Sequence, residues 1–289
     1  MKRCGLLLWL FVALPGCPRS AAGLLEHADR LEAGRHYPQA LAAYRDALRR
    51  LGDDDSPLAR SVRTRTLAHL ADLCYLDLGD LRCATEAFRR LLELYPDAPE
   101  SYQARIHFSE LLRDRAGDLQ GAIAQLEALV TAYPDRPGAD DFQYQAAQGY
   151  FDLGDYAQAR TEARTLLDRF PHSARVPQAR FLLASAFELE GRRGEAIAAY
   201  QELIDRTPAG EILPRARLAL AKLFEEDGAH RRALALLLAC LEDCADPALV
   251  QREIARIERE LAHARALEHP NAFDRPAIRK PHPHPGVAP

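Results

Sequence analysis

Residues Leu153–Pro171, LGDYAQARTEARTLLDRFP, decide the fold, because the chain repeats their pattern six times. A Gly is followed five residues later by Ala, then by a core residue four further on and another after three more. The pairs are Gly79/Ala84, Gly117/Ala122, Gly154/Ala159, Gly191/Ala196 and Gly228/Ala233, with a looser Gly34/Ala40 at the start. Tyr44, Phe88, Leu126, Ala163, Tyr200 and Leu237 take the first core position, and Ala47, Leu91, Leu129, Leu166, Leu203 and Cys240 the second. Pro96, Pro134, Pro171 and Pro208 close four of the units. Successive Ala positions are 44, 38, 37, 37 and 37 residues apart, a period that marks a helical repeat array.

Each mark has a mechanical reason. Spacings of four and three place the Ala and the next two core residues on one helical face. The small Ala lets a partner helix approach toward the short end of the usual ~8–10 Å range. Gly allows the preceding helix to stop in a left-handed turn, and Asp80, Asp118 and Asp155 beside it suit such a turn. Pro cannot continue the second helix, so it separates one unit from the next. The predicted unit is helix, tight turn, helix, break.

With those marks, the chain resembles tetratricopeptide-repeat (TPR) proteins over residues 23–245. The resemblance implies an all-α fold, a right-handed superhelical solenoid of about six helix pairs. Tyr95-Pro96-Asp97, Tyr133-Pro134-Asp135 and Phe170-Pro171-His172-Ser173 end one unit and open the next. With units near 37 residues, this variant is similar to bacterial envelope TPR proteins. Examples are the lipoprotein subunit of the β-barrel assembly machine and the repeat domain of the Tol–Pal accessory protein.

The first unit ends at Gly52 without a Pro. Leu51–Pro57 fills the long first step; there Ser56 suits a cap and Pro57 the start of a lengthened helix. Asp53–Asp55 read as a solvated loop, since a calcium loop needs alternating ligands, a turn Gly and a distant Glu. After the repeats, Val250, Ile254, Ile257, Leu261 and Ala264 form one apolar stripe. Arg252, Glu253, Arg256, Arg259 and Glu260 are expected to face away, giving a solvating cap over residues 246–268. Residues 269–289 are Pro-rich, lack a periodic apolar face and are expected to be disordered.

The start of the chain reads as a leader. Lys2 and Arg3 precede an apolar run from Gly5 to Leu14, too short for the ~20 residues of a bilayer span but suited to a signal peptide over residues 1–16. Leu14-Pro15-Gly16-Cys17 resembles a bacterial lipobox. That resemblance implies cleavage between Gly16 and Cys17, acylation of Cys17, and residues 17–22 as a tether. Pro18 and Arg19 differ from the Asp of an inner-membrane retention signal, so a lipid-anchored outer-membrane address on the periplasmic face is expected.

The chain has 38 basic and 42 acidic residues. Loss of the leader takes Lys2 and Arg3 and no acid, leaving 36 against 42. Arg is interleaved with Asp and Glu, so nucleic acid is not an expected partner. No His-Glu-x-x-His, Gly-x-Ser-x-Gly, phosphate-loop or dinucleotide pattern occurs. Among the histidines, His69, His107 and His230 read as unrelated positions in their units. A non-enzymatic scaffold is therefore expected, with no cofactor, metal or small-molecule substrate. It would bind an envelope protein or peptide, with outer-membrane protein assembly as the first reading. The alternative is a partner of a peptidoglycan-processing or Tol–Pal-like division system. Cys74 and Cys83 flank one turn and are a candidate disulfide, with small apolar fillers as the alternative.

In the TPR family the first helix of each pair lines the binding groove. The resemblance assigns Tyr144, Gln148, Phe151 and Asp152 to that face in the fourth unit, and Gln178, Phe181, Ser185 and Glu188 in the fifth. Leu218, Lys222 and Glu225 follow in the sixth. A clamp for a C-terminal carboxylate is disfavoured, because Asn271 is the only Asn and Lys222 the only Lys within the repeats. From the leader comes one direct test: Cys17→Ser should abolish incorporation of labelled palmitate, and normal incorporation would refute the lipobox reading.

Overall fold

The computed structural model describes residues 20–268 apart from positions 208, 242 and 245. The expectations for the leader, Gly16, Cys17, the Pro-rich tail and Pro208 lie outside the described residues. Thirteen α-helices and two π-helical turns occur among the described residues, with no strand. No helix there is long and apolar enough to cross a membrane.

The chain divides into two compact units, Met1–Leu182 and Leu183–Pro289. In the first, four antiparallel pairs follow one another: α1 (Ala21–Ala33) with α2 (Tyr37–Leu51), and α3 (Pro57–Asp72) with α4 (Leu81–Leu94). Next come α5 (Ser101–Leu111) with α6 (Leu119–Ala132), and α7 (Ala139–Asp152) with α8 (Tyr156–Arg169). The unit boundary falls within α9 (Val176–Leu189). The second unit continues with α10 (Arg193–Arg206), α11 (Ile212–Glu226), α12 (His230–Cys240) and α13 (Pro247–Glu268), each packed on the next.

The turn between paired helices sets the repeat. Gly79, Gly117, Gly154, Gly191 and Gly228 all have φ between 64° and 80°. The first unit departs from the sequence reading. Gly34 has φ −80°, and Arg35 takes the left-handed slot with φ 59°. The left-handed residue therefore lies five before the Ala in all six units, and the six-residue interval at Gly34 was a misplaced register mark.

The step of 38 has a physical explanation as well. α5 ends in a π-helical turn, Leu112–Ala116, which houses one extra residue. Its turn is closed by Asp118 N donating to Leu112 O, six residues back, whereas the fourth unit is closed by Asp155 N donating to Tyr150 O, five back. α3 ends in a like π turn, Leu73–Asp77, with Asp80 N donating to Cys74 O. The longer first step combines this extra residue with the loop around Asp53–Asp55.

Asp80, Asp118 and Asp155 act on the second helix of the pair, because their carboxylates accept from Cys83 N at 3.0 Å, Gly121 N at 2.8 Å and Gln158 N at 3.0 Å. Each satisfies one otherwise unpaired N–H of the first turn. Ser56 does the same for Ala59 N at 3.2 Å, with Pro57 opening α3. Ala40, Ala84, Ala122, Ala159, Ala196 and Ala233 are all buried. Gly149 plays a similar part in α7, where an added Cβ would stand 2.7 Å from Ile123 Cγ1 of α6.

In the second unit, Val250, Ile254 and Ile257 of α13 are buried. Arg256 does not face away: it pairs with Glu225 of α11 at 2.5 Å as well as with Glu253 and Glu260 of its own helix. Glu260 also lies 4.0 Å from His230. The polar side of α13 is thus partly used to dock it.

Two substitutions test these contacts by thermal and urea unfolding. Ala159→Leu should cost ~1–3 kcal/mol by overpacking, and Asp118→Ala ~1 kcal/mol by loss of a cap; unchanged stability in either would refute the contact assigned to it.

Candidate functional site

Residues before each turn glycine define the face of each first helix. In the first unit this face carries a ladder of polar contacts between successive first helices. His69 of α3 stands with its Nδ1 3.0 Å from Asp29 Oδ1 of α1. His107 of α5 stands with its Nδ1 2.7 Å from Asp72 Oδ1 of α3, and its Nε2 lies 2.9 Å from Gln103 Nε2. Arg113 then donates to Gln145 Oε1 of α7 at 2.9 Å. His69 and His107 each lie ten residues before a turn glycine, Gly79 and Gly117. They occupy equivalent positions, contrary to the sequence reading; counting back from the glycine would have exposed the match.

On α7, Tyr144, Gln148 and Asp152 form one stripe. Tyr144 Oη donates to Gln148 Oε1 at 3.3 Å, and Gln148 Nε2 donates to Asp152 Oδ1 at 2.8 Å. Tyr144 and Gln148 are half-buried and Asp152 exposed. The three line a small cleft of about 90 Å³ with Arg113, Ile123 and Leu126. Arg175 lies over the Tyr144 ring at 5.5 Å and pairs with Asp141. Phe151 packs edge-to-face on Tyr156 of α8, ring centroids 5.4 Å apart, rather than lining that cleft. Gln178 and Phe181 of α9 are half-buried, and Gln178 Oε1 has no hydrogen-bond partner among the described residues.

In the second unit, Tyr200 Oη donates to Glu188 Oε2 at 2.9 Å and lies 2.9 Å from Ser185 Oγ. Lys222 Nζ approaches Glu188 Oε1 at 3.7 Å and Glu226 Oε1 at 3.9 Å. Leu218 is half-buried, and Glu225 is held by Arg256.

Other features lie elsewhere. Cys74 and Cys83 are joined by a disulfide, Cα–Cα 5.8 Å, across the turn between α3 and α4. Cys240 and Cys244 are free thiols, and burial pushes the Cys240 thiol up to about 11. A cavity of about 730 Å³ opens on the second helices α2 and α4, with Leu48, Leu67 and Leu70 beneath Arg45, Arg49 and Arg90. It is larger than the α7 cleft, and α3 contributes Leu67 and Leu70 to its lining. Asp54 and Asp55 are engaged by Ser56 N and Arg60.

The comparisons agree with this architecture. Residues 75–137 and 144–211 match the model of the tetratricopeptide repeat family. These segments are similar to tetratricopeptide repeats, a repeat built from helix pairs. No curated protein matches the sequence. Among solved structures, the chain is similar to Naa15/Naa10 bound to HypK-THB, with TM-score 0.52, 19% identity, 88% of this chain and 38% of that chain covered. It is also similar to a tetratricopeptide repeat protein from Parabacteroides merdae (TM-score 0.45, 18% identity, 90% and 95% covered). A third likeness is PilW, a type IV pilus biogenesis factor (TM-score 0.45, 20% identity, 80% and 98% covered).

The His107–Asp72 contact gives a pH signature. Donation from the His107 Nδ1–H to the Asp72 carboxylate raises the His107 pKa above its usual ~6.5, against an opposing effect of burial. A raised folded-state value means the contact's stabilisation is complete below the unfolded pKa and is lost as pH rises through the folded one. NMR titration should place His107 above free imidazole, and Asp72→Asn should remove both that shift and the extra stability at the acid end. A His107 titrating at or below free imidazole would refute the pairing.

Proposed function

We propose that the chain is a membrane-tethered adaptor of the bacterial cell envelope, acylated at Cys17 and facing the periplasm from the outer membrane. It holds an extended or helical peptide of an envelope protein on its first-helix faces and does no chemistry itself. The observation that carries this reading is the Tyr144–Gln148–Asp152 stripe. An aromatic ring, an amide and a carboxylate share one accessible helical face beside a cleft, a mixture suited to peptide recognition. The sequence Leu14-Pro15-Gly16-Cys17 after a short apolar run supports the tether. The Cys74–Cys83 disulfide supports an oxidising compartment. Outer-membrane protein assembly is one pathway this reading admits, and a peptidoglycan-processing or Tol–Pal-like division system is the other.

Crosslinking in intact cells followed by membrane fractionation and affinity purification tests this. The wild-type protein should sediment with the outer membrane and bring down an envelope protein. Tyr144→Ala with Gln148→Ala should weaken that capture by up to ~2 kcal/mol, about thirtyfold, at a hot spot, with melting little changed. Undiminished capture by the double variant, or recovery of the wild type in the cytoplasm, would overturn the reading.

A further inference from the structure

The first unit contains a second constellation that the peptide-binding reading does not use. Asp29 and Glu32 of α1 and His69 of α3 each offer a ligand atom, and these atoms all lie within 4.8 Å of one another. We propose that these three residues bind a divalent transition-metal ion, Zn²⁺ being the ion whose preferences fit them best.

The donor set is one imidazole nitrogen and two carboxylate oxygens. Zinc accepts both types, with ~2.0–2.2 Å bonds in tetrahedral geometry, so its ligand atoms stand roughly 3.3–3.5 Å apart. The His69 Nδ1 to Asp29 Oδ1 distance of 3.0 Å is already close to that. The side chains of Asp29 and His69 are 30% and 40% exposed, and they open on a cavity of about 400 Å³ also lined by Glu32, Tyr37 and Asp77. An ion has an entry path and room for a water ligand.

The charge balance calls for a cation. Beneath the carboxylates lies the Tyr44 hydroxyl, on a fully buried ring. It contacts Asp29 Oδ1 at 2.8 Å and also Glu32 Oε2. A hydroxyl carries one hydrogen, so it donates to only one carboxylate at a time. Arg35 lines the cavity, yet no ion pair joins it to Asp29 or Glu32 among the described residues. Two carboxylates thus converge with one shared proton and a neighbouring imidazole. A divalent ion on the cavity side would balance them while Tyr44 orients them from behind, as supporting groups do around metal ligands.

The second unit shows what occupies the same frame elsewhere in this chain. Tyr200 lies fifteen residues after Ser185 and twelve after Glu188, as Tyr44 lies fifteen after Asp29 and twelve after Glu32. There the Tyr–Glu pair is met by the Lys222 ammonium at 3.7 Å from Glu188. In the first unit the Ser position is a second carboxylate, and no lysine is present in the described part of that unit. The frame is one that takes a cation, here with an added anionic ligand and an imidazole in place of an ammonium.

The test is calorimetric titration of Zn²⁺ into the full chain after chelator treatment, with Co²⁺ absorption as a report on the ligands. One Zn²⁺ per chain is expected, together with a Co²⁺ spectrum free of thiolate charge-transfer bands. Asp29→Asn with Glu32→Gln, and separately His69→Gln, should weaken binding at least ~tenfold, as losing a metal ligand costs no less than disturbing its supporting shell. Lys222→Ala, Cys244→Ala and His282→Gln with His284→Gln should leave it unchanged. Should a variant misfold, the wild-type His69 ring ¹⁵N shift on adding Zn²⁺ decides the matter. No stoichiometric binding, an unmoved His69 signal, a thiolate band, or binding lost in the Cys or tail-His variants would overturn the proposal.

Discussion

The structure depends on one close approach, the contact made by a buried alanine five residues after a left-handed turn. The turn reverses the chain, and the alanine admits the partner helix. The two core residues after it, such as Phe88 and Leu91 or Tyr200 and Leu203, then fill the space between helices. Because each unit solves the same packing problem, its polar first-helix residues recur at fixed offsets from the turn. His69 and His107 illustrate this, each paired with an aspartate of the preceding first helix. Local backbone geometry thus places chemistry on one face without a site being built separately in each unit.

The regular elements were legible in the sequence because Gly, Ala and Pro act through short-range sterics that linear spacing records. The paired helices, the start of α3 at Ser56–Pro57 and the Val250, Ile254 and Ile257 part of the α13 stripe needed only local rules, whereas Leu261 is half-buried and Ala264 exposed. Where the reading slipped, a residue was doing something its type does rarely. Arg35 adopts the left-handed conformation that Gly34 was assigned, at a cost of ~1–2 kcal/mol for a residue with a side chain, and this displaced the first register mark by one. The extra residue of the 38-step vanishes into a π turn, which has no simple spacing signature.

The candidate surfaces were legible only in part. Tyr144, Gln148 and Asp152 share a face by their spacing alone, and the structure adds the hydrogen bonds along them. Phe151 has the same nominal spacing but is drawn to Tyr156, because a neighbouring helix competes for its ring. Arg256 was assigned to solvent on amphipathic pattern, yet Glu225 of another helix reaches it. The Asp29–Glu32–His69 cluster joins residues forty positions apart in sequence, and nothing in linear spacing announces that α1 and α3 bring them together. Contacts between elements, not within them, are what the pattern cannot carry.

The central claim is that partners bind the first-helix face rather than the second-helix face. Site-specific photocrosslinking compares the two directly, with a photoreactive residue in place of Gln148 on α7 or of exposed Thr161 on α8. The expected result in intact cells is a discrete adduct from position 148 and none from position 161. An adduct from position 161 alone would contradict the account.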